Sequence, residues 1–223
     1  MASRFIKAKA DKDHSVIYTS KFGKRFRFSG GTWAWRNHNP GNLRTGSVSK
    51  KFGQIGTAGG FATFPNYQSG LRALIYLLKH FYKNDSIKKL AKRYAPPSEN
   101  DTANYTRFLR RKTGINTNKR IRHFSSSEFK KLWEAIITME GYREGDVSEI
   151  KPITKVKRDN TSIYAYYIIG VGWVDKEECI ALAQRGLVDA VVCSSSLGNL
   201  YLRSRPDKSF EDNFSHMVVR EDS

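Results

Sequence analysis

The chain has 223 residues, 39% of them hydrophobic and 27% charged, and a formal net charge of +18, so it is long enough to bury one good core in one or two domains. No run approaches the roughly 18 apolar residues of a membrane span. Two cysteines, Cys179 and Cys193, without a histidine pairing at ligand spacing, support neither a zinc site nor a disulfide framework.

The charge is uneven. Residues 1–150 hold 29 Lys and Arg against 11 Asp and Glu, whereas residues 151–223 hold 10 of each. A field of that sign attracts polyanions: nucleic acid, an anionic membrane surface, or the acidic polymers of a bacterial envelope. The N-terminus MASRFIKAKADKDHSV lacks the apolar segment of a secretory signal. The expectation is a protein made in the cytoplasm without a signal peptide, which something else delivers if its target lies outside.

Residues 1–30 read as a polar, basic segment in which SVIYTS and RFRFSGG permit a short hairpin ending in a glycine turn. WAWRNHNPGNLRTG, residues 33–46, sets Asn37, Asn39 and Asn42 around Pro40 and Gly41, beside Trp33, Trp35, Arg36 and Arg44. Amides next to flat aromatic faces are a means of holding sugars or their acetamido groups. The same asparagines can equally close turns through their own backbone.

Residues 52–70, FGQIGTAGGFATFPNYQSG, predict a glycine-rich hairpin or loop. Their spacing matches neither a phosphate-binding loop nor a dinucleotide fingerprint. From Ser69, the stripe Leu71, Leu74, Ile75, Leu78 and Tyr82 predicts a core-facing helix, and a second helix runs from Ser86 through Tyr94 to the stop at Pro96 and Pro97. SENDTANYTRFLRRKTG offers Ser98, Asn100 or Asp101 as cap of a third, with Arg110, Arg111 and Lys112 closing it where cations are favoured. Capping or a favourable dipole position accounts for Glu99 and Asp101 more readily than catalysis does, and Glu99 stays as a second carboxylate candidate.

SSSEFKKLWEAIITMEG, residues 125–141, carries the sharpest chemical signal. Ser125 and Glu128 form a capping box, and Phe129, Leu132, Trp133 and Ile136 recur at helical spacing. Four residues beyond Ile136, on the apolar stripe and in the last turn before Gly141, stands Glu140. A carboxylate there opposes the helix dipole, and apolar neighbours raise its pKa. Such a group suits a general acid, which must carry its proton near neutral pH. The alternative is a glutamate that curls into solvent or pairs with Arg143.

Residues 146–160, polar and containing Pro152, predict a linker. SIYAYYIIGVGW then reads as a strand, DKEECIALAQRG as an amphipathic helix, and DAVVCSS and NLYLRSR as two more strands. Residues 161–223 thus predict a small β-α-β-β accessory domain of neutral charge, without a catalytic constellation.

RNHNPGNLR, FGQIGTAGGFATFPNYQSGLRAL, AKRYAPPSENDTANY and AIITMEG, in that order over about residues 30–145, resemble a family of phage and prophage virion-associated proteins related to the muralytic protein of enveloped double-stranded RNA phages. The resemblance implies an α+β architecture with a mainly helical, lysozyme-like and lytic-transglycosylase-like domain over residues 31–145, in which the glycine-rich hairpin walls a sugar cleft. Where that family usually shows a His-Glu-Asn-Gly or similar tetrapeptide, this chain has Met139, Glu140 and Gly141, keeping the glutamate. The implied activity is cleavage of the bond between N-acetylmuramic acid and N-acetylglucosamine. Glu140 would be the acid and Glu99 a second choice, with Asn39 and Asn42 holding acetamido groups and Tyr94 and Tyr105 steadying the sugar. No metal or other cofactor is implied.

The implied partner is peptidoglycan, reached in the periplasm or wall by a phage particle or a secretion system. A periplasmic immunity protein is expected if the producer is a bacterium. A muramidase or a wall endopeptidase is the nearer alternative. A basic nucleic-acid-binding module or a structural virion component, with Arg and Lys interleaved with Tyr and Phe, is the alternative from another class.

Overall fold

The computed structural model describes residues 5–94, 101–205 and 213–219. It divides into two compact units, Met1–Gly23 with Phe28–Asp146, and Lys24–Arg27 with Val147–Ser223.

The first unit opens on β1 (Phe5–Ala10), antiparallel to β2 (Val16–Ser20), and takes the last two residues, Phe28 and Ser29, of β3 (Arg25–Ser29). Two short helices come next, α1 (Trp33–Arg36) and α2 (Ser47–Lys51), then the antiparallel hairpin of β4 (Gly56–Ala58) and β5 (Phe61–Thr63). Four longer helices complete it: α3 (Tyr67–His80), α4 (Ile87–Tyr94), α5 (Thr102–Thr113) and α6 (Ser126–Met139). Their starts are written in side chains. Asn66 accepts from the Ser69 amide, Asp101 from that of Asn104, and Ser125 and Glu128 complete a reciprocal capping box on α6. Leu74 and Leu78 of α3, Leu90 of α4, Leu109 of α5, and Leu132 and Ile136 of α6 meet in one fully buried core. The helices therefore hold because each lays an apolar stripe on the same interior.

The second unit contains β6 (Asp146–Ile150), β7 (Ile153–Arg158), β8 (Ile163–Ile168), β9 (Gly172–Asp175), α7 (Lys176–Gln184), β10 (Val191–Ser194) and β11 (Leu200–Arg203). β7, β8 and β9 form an antiparallel sheet in which Val156, Tyr166 and Val174 sit in one cross-strand row. That row is buried together with Cys179 and Ile180 of α7. β10 and β11 pair as a separate hairpin.

The expectation of a mainly helical, lysozyme-like domain is overturned. Eleven strands in four sheets run through the described residues. In the N-terminal basic segment SVIYTS and RFRFSGG form β2 and β3, neighbours in one sheet as the hairpin reading expects, and β1 is a strand the sequence did not show. FIKAKA buries only Phe5 and Ala8, with a register shift between Phe5 and Lys7, so its two-residue period is broken where the sequence would show it. The stretch expected as a linker, residues 146–160, instead carries β6 and β7, whose polar composition hides three inward residues, Ile150, Ile153 and Val156. SIYAYYIIGVGW is two strands, since Gly170 and Gly172 take positive φ of 73° and 107° and turn the chain back. No helix among the described residues is long and apolar enough to cross a membrane.

Candidate functional site

Glu140 terminates α6: its backbone N–H donates to Ile136 O at 2.9 Å, and Gly141 follows in the left-handed region at φ 66°. Because α6 buries Leu132 and Ile136, the same stripe carries the Glu140 side chain inward. The carboxyl group is half-buried at the wall of a 610 Å³ cleft, whose lining includes Asn42, Arg44, Tyr82, Tyr94 and Tyr105.

Both carboxylate oxygens are engaged, and by neutral donors. Asn42 Nδ2 donates to Oε2 at 2.9 Å and Tyr105 Oη donates to Oε1 at 3.1 Å. These bonds favour the ionised form, yet desolvation outweighs them and raises the Glu140 pKa above its ordinary value. Among the described residues lining the cleft, Glu140 is the one carboxylate. The group therefore neither curls into solvent nor relies on Arg143.

Asn42 reaches Glu140 through an unusual turn. Its N–H closes on Asn39 O at 2.9 Å across Pro40 and Gly41, and its own φ is 47°, a conformation asparagine tolerates better than most residues. The Tyr94 hydroxyl of α4 donates to the Gly41 carbonyl, which fixes the turn against the helix. A Cβ on Gly41 would lie 2.8 Å from that hydroxyl and 2.9 Å from Leu74 Cδ1, so any larger residue would have to displace these side chains. Tyr94 and Tyr105 stand with ring centroids 6.2 Å apart, and burial pushes both phenols well above their ordinary pKa. They stay protonated and act as fixed donors.

Asn39 does not belong to the site. Its side chain is fully buried, donates to Leu43 O and Ala62 O at 2.8 Å each, and accepts from Leu43 N–H at 3.0 Å. Asn37 likewise donates to Ala58 O and accepts from the Thr63 hydroxyl. The Asn39 bonds to Leu43 close a local turn, whereas its bond to Ala62 and the Asn37 bonds to Ala58 and Thr63 pin the loop to the β4–β5 hairpin, so the sugar-holding expectation for Asn39 is corrected. Asp101 is the cap of α5, 2.8 Å from the Asn104 N–H. Glu99 lies outside the described residues.

Sequence reasoning missed Arg44, Tyr82 and Arg93 as cleft residues, and Gly41 as the support of the Asn42 turn. Gly41 shows only as a turn residue, and the others stand on stripes or basic runs with many equivalents. Arg93 is already committed to Asp85 at 2.8 Å and packs over the Tyr82 ring. Among the described residues, no group of three or more His, Cys, Asp or Glu side chains could hold a metal ion.

No protein-family model matches the sequence, and no solved structure matches it. Among curated proteins it is similar to Protein P5 of Pseudoalteromonas phage PM2, with 31% identity over 112 residues that cover 47% of this chain and 68% of that protein. That match makes the chain phage-related, and the name Protein P5 describes no muralytic or lysozyme-like protein. By identity and coverage together, the chain belongs to the family of Protein P5 of Pseudoalteromonas phage PM2.

Proposed function

We propose that this protein cleaves the glycan strands of peptidoglycan between N-acetylmuramic acid and N-acetylglucosamine, with Glu140 as the acid and base of a lytic transglycosylase. The observation that carries this reading is one carboxyl group of raised pKa, held between two neutral donors at the wall of a cleft with room for a polymer segment. A raised pKa favours the protonated form that a general acid must present to its substrate.

Protonated Glu140 donates to the glycosidic oxygen as the bond from C1 breaks, and the bonding pair leaves with that oxygen. The muramic acid's C6 hydroxyl then attacks C1 and gives its proton to the Glu140 carboxylate, closing a 1,6-anhydro ring and restoring the acid. No water is consumed and no second carboxylate is required. That economy favours the transglycosylase over a hydrolase, which uses a paired acid about 5 to 9.5 Å away. Tyr105 and Asn42 orient the carboxyl, and Tyr94 acts one step back by holding the Gly41–Asn42 turn. Access to the wall would follow delivery by a phage particle or a secretion route, where the basic half concentrates the protein on an acidic polymer.

The test is digestion of purified sacculi with soluble products read by mass spectrometry. The expected result is anhydro-muropeptides from the wild type and none from Glu140→Gln, with the variant's thermal midpoint no lower. Reducing muramic ends would indicate a hydrolase, and cut peptides an endopeptidase. Retention of DNA without muropeptide release would replace the enzyme with the nucleic-acid reading, and wild-type rates in Glu140→Gln would move the acid to Glu99.

A further inference from the structure

A second cleft, of 440 Å³, opens in the first unit between α3, the turn at 121–123 and the start of α6. Its floor is apolar, from Ile75, Ile121, Phe129 and Trp133, and its rim carries Lys79, Lys83 and Arg122. None of its lining residues is acidic. The three cations are exposed, whereas Phe124, Phe129 and Trp133 are half-buried. Lys79 Nζ stands 5.5 Å from the centre of the Phe129 ring, so one ammonium is drawn over the floor. Arg122 is oriented by the Asn84 side chain at 3.3 Å. The first turn of α6 borders the same space through Ser125 and Ser126, both of which line it, and its capping box already occupies the Ser125 and Glu128 N–H groups, so the cations of the rim carry the attraction.

This combination selects for an anion that also has an aliphatic body. A nucleic-acid track needs a longer run of cations and rings bare enough to stack bases, and here the rings are packed as a floor. A short acidic peptide fits better, because its carboxylates meet the rim while its methyl groups rest on Ile75, Ile121 and Trp133. The cleft lies at the opposite end of α6 from Glu140, and with 14 residues in that helix and a rise of about 1.5 Å per residue the two are roughly 20 Å apart. Only an extended polymer spans both.

We propose that the cleft between α3 and the start of α6 is an exosite that holds an acidic stem peptide of the same polymer whose glycan is cut beside Glu140. The identity of the peptide rests on the function proposed above, while the existence of an acidic-peptide site does not. Binding there raises the residence of long, stem-bearing strands without touching the reacting bond, so it lowers KM and leaves kcat alone.

The experiment uses full-length Glu140→Gln protein, which binds without cutting, with and without the added exchanges Lys83→Glu and Arg122→Glu. Both added positions are exposed, and circular dichroism melting checks that the fold is kept. Retention on intact sacculi is expected to weaken at least tenfold in the charge-reversed protein, and retention on glycan stripped of its stems by an amidase is expected not to change. In otherwise wild-type protein, the same two exchanges are expected to raise KM on intact sacculi with kcat unchanged. Unchanged retention on intact sacculi overturns the exosite, and so does an equal loss on stripped glycan. Loss of DNA retention alone would assign the cleft to nucleic acid and overturn it as well. If wild-type protein releases no muropeptide while retention still depends on Lys83 and Arg122, the enzymatic reading fails and the peptide site stands.

Discussion

In the proposed reaction the fate of one proton on Glu140 decides the chemistry. Burial raises its pKa while the Asn42 and Tyr105 hydrogen bonds lower it. A general acid loses activity as pH rises through its folded value, so kcat/KM is expected to fall on the alkaline side of a midpoint above the ordinary carboxyl value. Tyr105→Phe removes one bond that favours the carboxylate and is expected to move that limb to higher pH. A pH profile that shifts downward, or stays fixed, would remove Tyr105 from the role of orienting the acid.

The same raised value has a consequence for stability. The contribution of Glu140 is fully present below its unfolded pKa and is lost as pH rises through the folded one. Glu140→Gln is therefore expected to gain in urea midpoint over the wild type at neutral pH, and to lose that advantage in acid. A constant difference at all pH values would contradict the desolvated carboxyl. At Gly41 the prediction is steric. An alanine Cβ would meet Leu43 Cδ1 at 2.7 Å and the Tyr94 hydroxyl at 2.8 Å. Gly41→Ala should cost about 1–3 kcal/mol, measured by denaturant unfolding, and lower activity by displacing Asn42.

Among the elements, α6 links both clefts, so changes to it test packing and function together. Ser125→Ala removes the capping-box acceptor for the Glu128 amide, 3.1 Å away, and should cost about 1 kcal/mol. Leu132→Ala empties a fully buried site in the core and should cost about 2–5 kcal/mol. Equal small losses from both would mean that α6 is held by neither its cap nor its stripe.

The longer helices, α3 to α7, were legible in the sequence because their starts and apolar periods are local, whereas the short α1 and α2 were not. Ser125 and Asp101 cap where their side chains predict, and α3 starts at Tyr67, two residues before the expected Ser69. Strands were less so. β1, β6 and β7 expose lysines and acids on the open side and show few apolar residues, and in β1 a register shift scrambles the alternation. What those segments bury depends on partners elsewhere in the chain, which a window of sequence does not contain.

For the whole molecule, charge is the property that carries across. The excess of cations in residues 1–150 implies attraction to an acidic polymer that weakens as the Debye length shrinks from about 10 Å at 0.1 M salt to about 3 Å at 1 M. Retention of Glu140→Gln protein on sacculi is expected to fall steeply over that range. Retention insensitive to salt would leave the basic half without a part in binding. The described residues also form two separate cores, one around Leu74 and Leu132 and one around Tyr166 and Cys179, and the site belongs to the first.

Sequence alone determined what is local or additive: the net charge, the capped helices, and the position of Glu140 on an apolar stripe four residues after Ile136. Those follow from side-chain type and from a period of 3.6 residues, which need no distant partner. Tertiary structure decided the rest. It brought Asn42 and Tyr105, far apart in the chain, onto the two oxygens of one carboxyl group, turned Asn39 inward to tie a loop, and paired polar segments into strands. Hydrogen bonds and burial between remote residues are properties of the folded arrangement, and the order of residues along the chain does not spell them out.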